Sequence, residues 1–200
     1  LARRSSALGC MAVRDAAAAA LCGAWPAHAQ RVDLAAVLRQ HAALVHAGYS
    51  DTLAAALDLQ RAIDALLAAP AAPTLAAARQ AWSDARDSYG QTEAFRFYGG
   101  PIDDDKGPEG RLNAWPLDEA YIDAVAGKPD AGIVNNRKVT ISKAGLAKLN
   151  ERGGEENVAT GWHAIEFLLW GQDRSDSGAG NRPAEDYVAG KGRNAERRRL

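Results

Sequence analysis

From Asp33 to Ala69 the apolar side chains recur at three- and four-residue intervals, through Leu34, Val37, Leu38, Val45, Leu53, Ala56, Leu57, Ile63, Leu66 and Leu67, and no proline interrupts them. That spacing lays one apolar stripe along an α-helix. It predicts one long helix, or two that meet near Gly48; a continuous one would run about 55 Å at 1.5 Å per residue. Antiparallel neighbours in a bundle bury such a stripe most simply. Pro70 and Pro73 end the element, and Thr74 stands as the cap of a second helix that carries Leu75, Ala78, Trp82, Ala85 and Tyr89 on one side and reaches Phe97. Residues 98–136 are then rich in Gly, Pro, Asp and Asn. This loop is long enough to be read as functional. A short helix is predicted over 117–125, where Pro116 suits a first turn, and another over 142–151, capped by Thr140 or Ser142. The stretch ATGWHAIEFLLWGQD, residues 159–173, is helical in spacing and apolar nearly all round, so it belongs inside. No strand, repeat or βαβ alternation is present in the pattern, and the fold class is all-α, a long antiparallel helical bundle.

Composition narrows the function. The chain has 200 residues, 47% of them hydrophobic, enough for a sizeable core. Its 24 basic and 25 acidic side chains leave a formal charge of -1, with no general attraction to nucleic acid or anionic lipid, so no nucleic-acid partner is expected. No run approaches the roughly 18 apolar residues of a membrane-spanning helix. Residues 1–29 read as a signal peptide: Arg3 and Arg4 are basic, AAAAALCGAW is apolar, and Ala27-His28-Ala29 has the small-x-small pattern of a cleavage site, although Arg14 and Asp15 interrupt the apolar region. The mature chain is then expected in the periplasm or at the outer membrane. Both cysteines, Cys10 and Cys22, fall in this leader, so cleavage after Ala29 leaves neither disulfide nor thiolate ligand. A lipoprotein reading at Cys10 fails because the apolar run ahead of it is too short.

Candidate chemistry centres on His163 and Glu166, the only ionisable groups of the 159–173 helix before its polar end. Three residues apart, they share one helical face. A buried charge needs a partner. That partner is the other member of the pair, which makes a structural tie, a metal ion that takes both as ligands from inside a bundle, or a bound ligand. Further ligands would come from Glu93, from Asp103, Asp104 and Asp105, from Asp118, or from outside the chain. Each has a plain alternative: Glu93 can pair with Arg96, and the three adjacent aspartates lack the alternating spacing of a calcium loop. His41 and His46 are five apart and diverge around their helix. Trp115-Pro116 reads as a packing anchor for the loop, and Arg197 to Arg199 as a solvated helix face.

GWHAIEFLLWGQD, with SYGQTEAFRFYGGPIDD and LNAWPLDEAYID upstream, resembles the imelysin-like family, whose G-x-H-x-x-E motif is matched here by Gly161, His163 and Glu166. The resemblance runs from about residue 33 to the C-terminus. It implies a pair of helical bundles with the motif near their junction, and a family of envelope proteins described as insulin-cleaving metalloproteinases or as iron-regulated. It also implies that residues 30–200 are a first bundle cut short at the C-terminal end, the second bundle being absent. The H-E-x-x-H arrangement of familiar zinc proteases does not occur. Nitrogen and oxygen donors suit iron, and also zinc or manganese. The favoured expectation is thus an envelope protein that binds a divalent metal, iron or zinc, through His163 and Glu166, with Glu93 as a further candidate, and that works with other envelope iron-uptake proteins. Two alternatives stand beside it: a metallopeptidase using the same pair, and a helical adaptor in which the pair only ties helices together.

Overall fold

In the computed structural model, which describes residues 32–200, α1 runs unbroken from Leu34 to Ala68. The expected leader and its two cysteines lie outside the described residues. Asp33 caps α1, its carboxylate accepting from the backbone N–H groups of Ala35 at 2.9 Å and Ala36 at 3.1 Å. Gly48 is not a joint between two helices. A Cβ there would lie 3.3 Å from the Phe95 ring and 3.6 Å from the Thr92 methyl, so the missing side chain lets the end of the next helix cross closely.

The second helix, α2, spans Ala72–Thr92. Pro73 sits within its first turn, where no amide donor is needed, and does not terminate the preceding element. Thr74 caps from inside the helix: its hydroxyl accepts from the Ala71 N–H at 3.1 Å. The helix stops short of Phe97. Thr92 turns its hydroxyl back onto the Tyr89 carbonyl at 2.7 Å, Glu93–Phe95 tighten into a 3-10 turn, and Phe97 adopts φ 69°, which no right-handed helix accommodates. The remaining helices are short: α3 (Glu109–Leu112), α4 (Glu119–Ile122), α5 (Gly132–Asn135), α6 (Lys143–Leu149), α7 (Trp162–Trp170) and, after a 3-10 turn at Ala184–Tyr187, α8 (Ala195–Arg198). Ser142, not Thr140, caps α6, accepting from Gly145 N–H at 3.1 Å. Among the described residues no strand forms, and a single antiparallel bridge joins Val125 and Lys128. The chain is all-α.

The core lies where α1, α2 and α7 meet. The three-residue link between α1 and α2 makes them antiparallel. α7 lies along both: Trp162 at its start packs with Leu59, Ala85 and Tyr89, and Leu169 at its end packs with Leu66, Leu75 and Ala78. Its direction therefore opposes α2 and follows α1. α2 has 21 residues against 35 in α1, about 32 Å against 52 Å. It covers only the stretch of α1 beyond Gly48. Leu34, Val37 and Leu38 ahead of that point remain exposed, at 71%, 50% and 67% accessible, and beyond it Leu53 and Leu57 are still 61% and 45% accessible while Leu66 is buried; the expected burial of the whole stripe is met only in part.

The C-terminal segment overturns one expectation. Arg197 to Arg199 do not form a solvated basic face. Arg198 donates to Asp123 at 2.8 Å from Nε and 3.2 Å from Nη2, and Arg182 reaches the same carboxylate at 3.0 Å. The Asp123 side chain is fully buried, and those of Arg182 and Arg198 are nearly so. Burial pushes the Asp123 carboxyl up, but the Arg198 hydrogen bond and the charges of Arg182 and Arg198 outweigh it and hold its pKa below the usual carboxylate range. Arg197 turns inward as well, binding backbone carbonyls of residues 133–139, and Arg199 donates to the Tyr187 carbonyl at 2.9 Å. Guanidinium groups can satisfy several acceptors at once, so a run of arginines is able to staple a chain end to carbonyl-rich turns.

Candidate functional site

The entry into α7 fixes the site. Gly161 has φ 88° and ψ −169°, a region open to glycine and closed to other residues, and a Cβ on it would lie 2.3 Å from the Leu112 carbonyl oxygen. The end of α3 thus rests directly on the start of α7, and Thr160 adds a hydrogen bond to the Arg111 carbonyl at 2.9 Å. From that fixed start the helical turn distributes side chains. Trp162, Ile165 and Leu169 face α1 and α2, while Ala164 and Phe167 meet Ile122 on the other flank. His163 and Glu166 fall between these apolar faces, on a third.

There the two side chains meet as the spacing predicts: His163 Nδ1 lies 3.3 Å from Glu166 Oε2. They are not sealed inside. His163 retains 17% of its side-chain accessibility and Glu166 44%. Both line a cleft of about 450 Å³ with Trp115, Leu117, Glu119, Phe167, Trp170 and Asp173. Trp115 is not buried as a packing anchor; it is 68% exposed, and its ring leans over the imidazole at 4.8 Å between centroids and 55° between planes. It forms one wall of the cleft and shields one side of His163 from water. The cleft residues include Glu119, Glu166 and Asp173 and no lysine or arginine, so its field favours a cation. Burial, reinforced by neighbouring Asp118 and Asp173, raises the Glu119 pKa above the ordinary value against the opposing hydrogen bond of Gln172.

Of the other predicted ligands, Glu93, Asp103, Asp104 and Asp118 hold contacts elsewhere. Glu93 accepts from Arg86 at 3.1 Å and from Asn113 Nδ2 at 3.4 Å, so its cation is Arg86 and not Arg96. Arg96 instead pairs with the buried Glu109 at 2.6 Å, which also accepts from Tyr89 at 2.6 Å. Asp103 accepts from the Phe97 N–H and Asp104 from the Lys106 N–H at 2.9 Å, ordering their own loop. Asp118 caps α4 through Ala120 N–H at 2.9 Å. His41 lies edge-on to Phe95, with 5.8 Å between ring centroids, and His46 approaches Ser50 at 3.5 Å.

Among the described residues no group of three or more His, Cys, Asp or Glu side chains is arranged to hold a metal ion. A closed structural zinc site uses four protein ligands and a catalytic one three; His163 and Glu166 offer two. The donor set fits an open, partly filled coordination sphere and does not fit a closed one. Sequence spacing found the pair, whereas Trp115, Glu119 and Asp173 were brought to it by the loop before α4 and the turn after α7, and no periodicity in the sequence marks them.

Residues 45–199 match the family model described as Imelysin. Iron-regulated protein A of Synechococcus elongatus is 34% identical over 122 residues, covering 61% of this chain. The matched segment spans 27% of that relative's own length.

Proposed function

Since the chain belongs to the imelysin family, we propose that its acidic cleft binds a divalent metal, with iron as cargo, through His163 and Glu166, and that the protein serves iron acquisition in the cell envelope. One observation carries this reading: an imidazole and a carboxylate 3.3 Å apart open onto a cleft that holds two further carboxylates, Glu119 and Asp173, and no cation. A buried structural tie would have its carboxylate occupied by surrounding donors. Glu166 is almost half exposed and faces the cleft. Nitrogen and oxygen donors match Fe(II), Zn(II) and Mn(II), and the link to iron rests on the name of the iron-regulated relative. The remaining coordination positions are filled by water or by groups of an arriving metal complex, as an open site allows. His163 binds and orients, Trp115 excludes water from one side of the imidazole, and the carboxylates draw the cation in.

The experiment is metal titration, by calorimetry with Fe(II), Zn(II) and Mn(II), of the protein and of a His163→Ala/Glu166→Ala variant. The variant should lose the site while its urea midpoint falls only modestly, because the pair is part-exposed and a surface ion pair contributes only about 0–1 kcal/mol to stability. Equal metal content in both proteins rules the reading out. The family's metallopeptidase role is the competing use of the same pair; metal-dependent cleavage of an unfolded protein substrate, abolished in the same variant, would assign it.

A further inference from the structure

A second and larger cavity, about 1220 Å³, lies away from the cleft, between α4, α5, the turn after α6 and the segment before α8. No assigned role uses it. Its lining includes four cations, Arg137, Lys138, Arg152 and Arg193, against one carboxylate, Asp130. The whole chain carries a formal charge of -1, so this accumulation is local. Among the described residues only Arg193 of the four has a carboxylate partner, which is that same Asp130. Like charges gathered around one concavity repel and raise the local potential, a field that draws in an anion.

The backbone beneath these charges is fixed. Arg197 reaches the carbonyls of Val134 at 2.7 Å and of Ile133, Asn136 and Val139 at 2.9 Å each, fastening the turn that bears Arg137 and Lys138. Asn194 Nδ2 donates to Asn135 Oδ1 at 2.7 Å, and the Tyr121 hydroxyl donates to the Leu149 carbonyl at 2.8 Å, so the floor and the facing wall are tied as well. A solvated cationic loop needs no such support. A turn held by one part-buried guanidinium presents its charges with part of the ordering cost already met, which favours binding. Asn135 and Asn136 add neutral amides to the lining, suited to oxygen acceptors.

We infer that this cavity is a binding site for a small multivalent oxyanion, a polycarboxylate or polyphosphate, clamped by Arg137, Lys138 and Arg152. Arginine meets either group through paired N–H donors, and the volume exceeds what a single phosphate fills. The inference is independent of the metal cleft.

The test is calorimetric titration of the full chain with citrate and, separately, with tripolyphosphate at low and at 0.15 M salt, alongside vesicles containing phosphatidylglycerol. Saturable binding of one soluble probe, weaker at higher salt, is expected, and the probe that binds identifies the group. Arg137→Ala/Arg152→Ala should weaken it by about tenfold per guanidinium removed, and Lys138→Ala should give a smaller loss. Arg39→Ala/Lys106→Ala removes two exposed cations outside the cavity and should leave it unchanged. Absence of binding by both soluble probes, response to vesicles alone, or an equal loss in the Arg39/Lys106 variant overturns the inference. The altered side chains are exposed, and an unchanged melting temperature separates lost binding from lost fold.

Discussion

At the scale of single residues, Asp123 shows how a buried charge is held and what its loss entails. Its carboxylate is fully enclosed and shared by Arg182 and Arg198. Removing it leaves the buried Arg182 with Asp186 as its remaining carboxylate and Arg198 with backbone carbonyls alone, and breaking a buried ion network from one side costs about 3–5 kcal/mol. Asp123→Ala should lower unfolding stability by that order, read from urea denaturation. The pH dependence follows from the depressed folded pKa. The contribution is fully present above the unfolded value of about 3.9 and disappears as pH falls through the lower folded value. The stability difference between the protein and Asp123→Asn should therefore shrink steadily toward pH 2; a difference that stays constant from pH 6 to pH 2 would contradict the assignment. His163 and Glu166 are the opposite case, since their partial exposure makes them more tolerant of replacement.

At the scale of elements, α7 is a short helix whose position depends on its first residue. Gly161→Ala sets a Cβ against the Leu112 carbonyl and forces a strained backbone, at a cost of about 1–3 kcal/mol. The expected outcome is a lower melting temperature together with weakening of the proposed metal binding, because the displaced helix carries His163 with it. Unchanged values for both would mean that the entry to α7 adapts freely. Along α1 the same residue type has two meanings. Leu66 is buried against α2 and α7, and Leu38 is exposed. Leu66→Ala should cost about 2–5 kcal/mol, and Leu38→Ala less than about 0.5 kcal/mol; comparison of urea midpoints checks both.

At the scale of the whole molecule, the C-terminal segment is part of the fold. Arg197, Arg198 and Arg199 tie it to residues 133–139, to Asp123 and to Tyr187, whose hydroxyl burial raises to a pKa of about 12. Deleting residues 195–200 should therefore destabilise the protein by more than Asp123→Ala alone and loosen the floor of the basic cavity. Hydrogen exchange at residues 133–139 would report that loosening, and protection unchanged by the deletion would argue against it. Charge is also partitioned at this scale: a near-neutral chain holds one acidic cleft and one basic cavity, each suited to a ligand of opposite sign.

The sequence alone determined the all-α class, the span of α1, the core face of α2 through Leu75, Ala78, Ala85 and Tyr89, and the pairing of His163 with Glu166. These are local consequences of helical periodicity, in which residues three and four apart must share a face. Only tertiary structure decided that Trp115 covers the imidazole, that Glu119 and Asp173 join the cleft, that Glu93 is held by Arg86, and that an arginine run at the chain end points inward. Each depends on loops folding back across tens of residues. The partner of a charge is set by which carbonyls and carboxylates arrive beside it, and no local spacing encodes that.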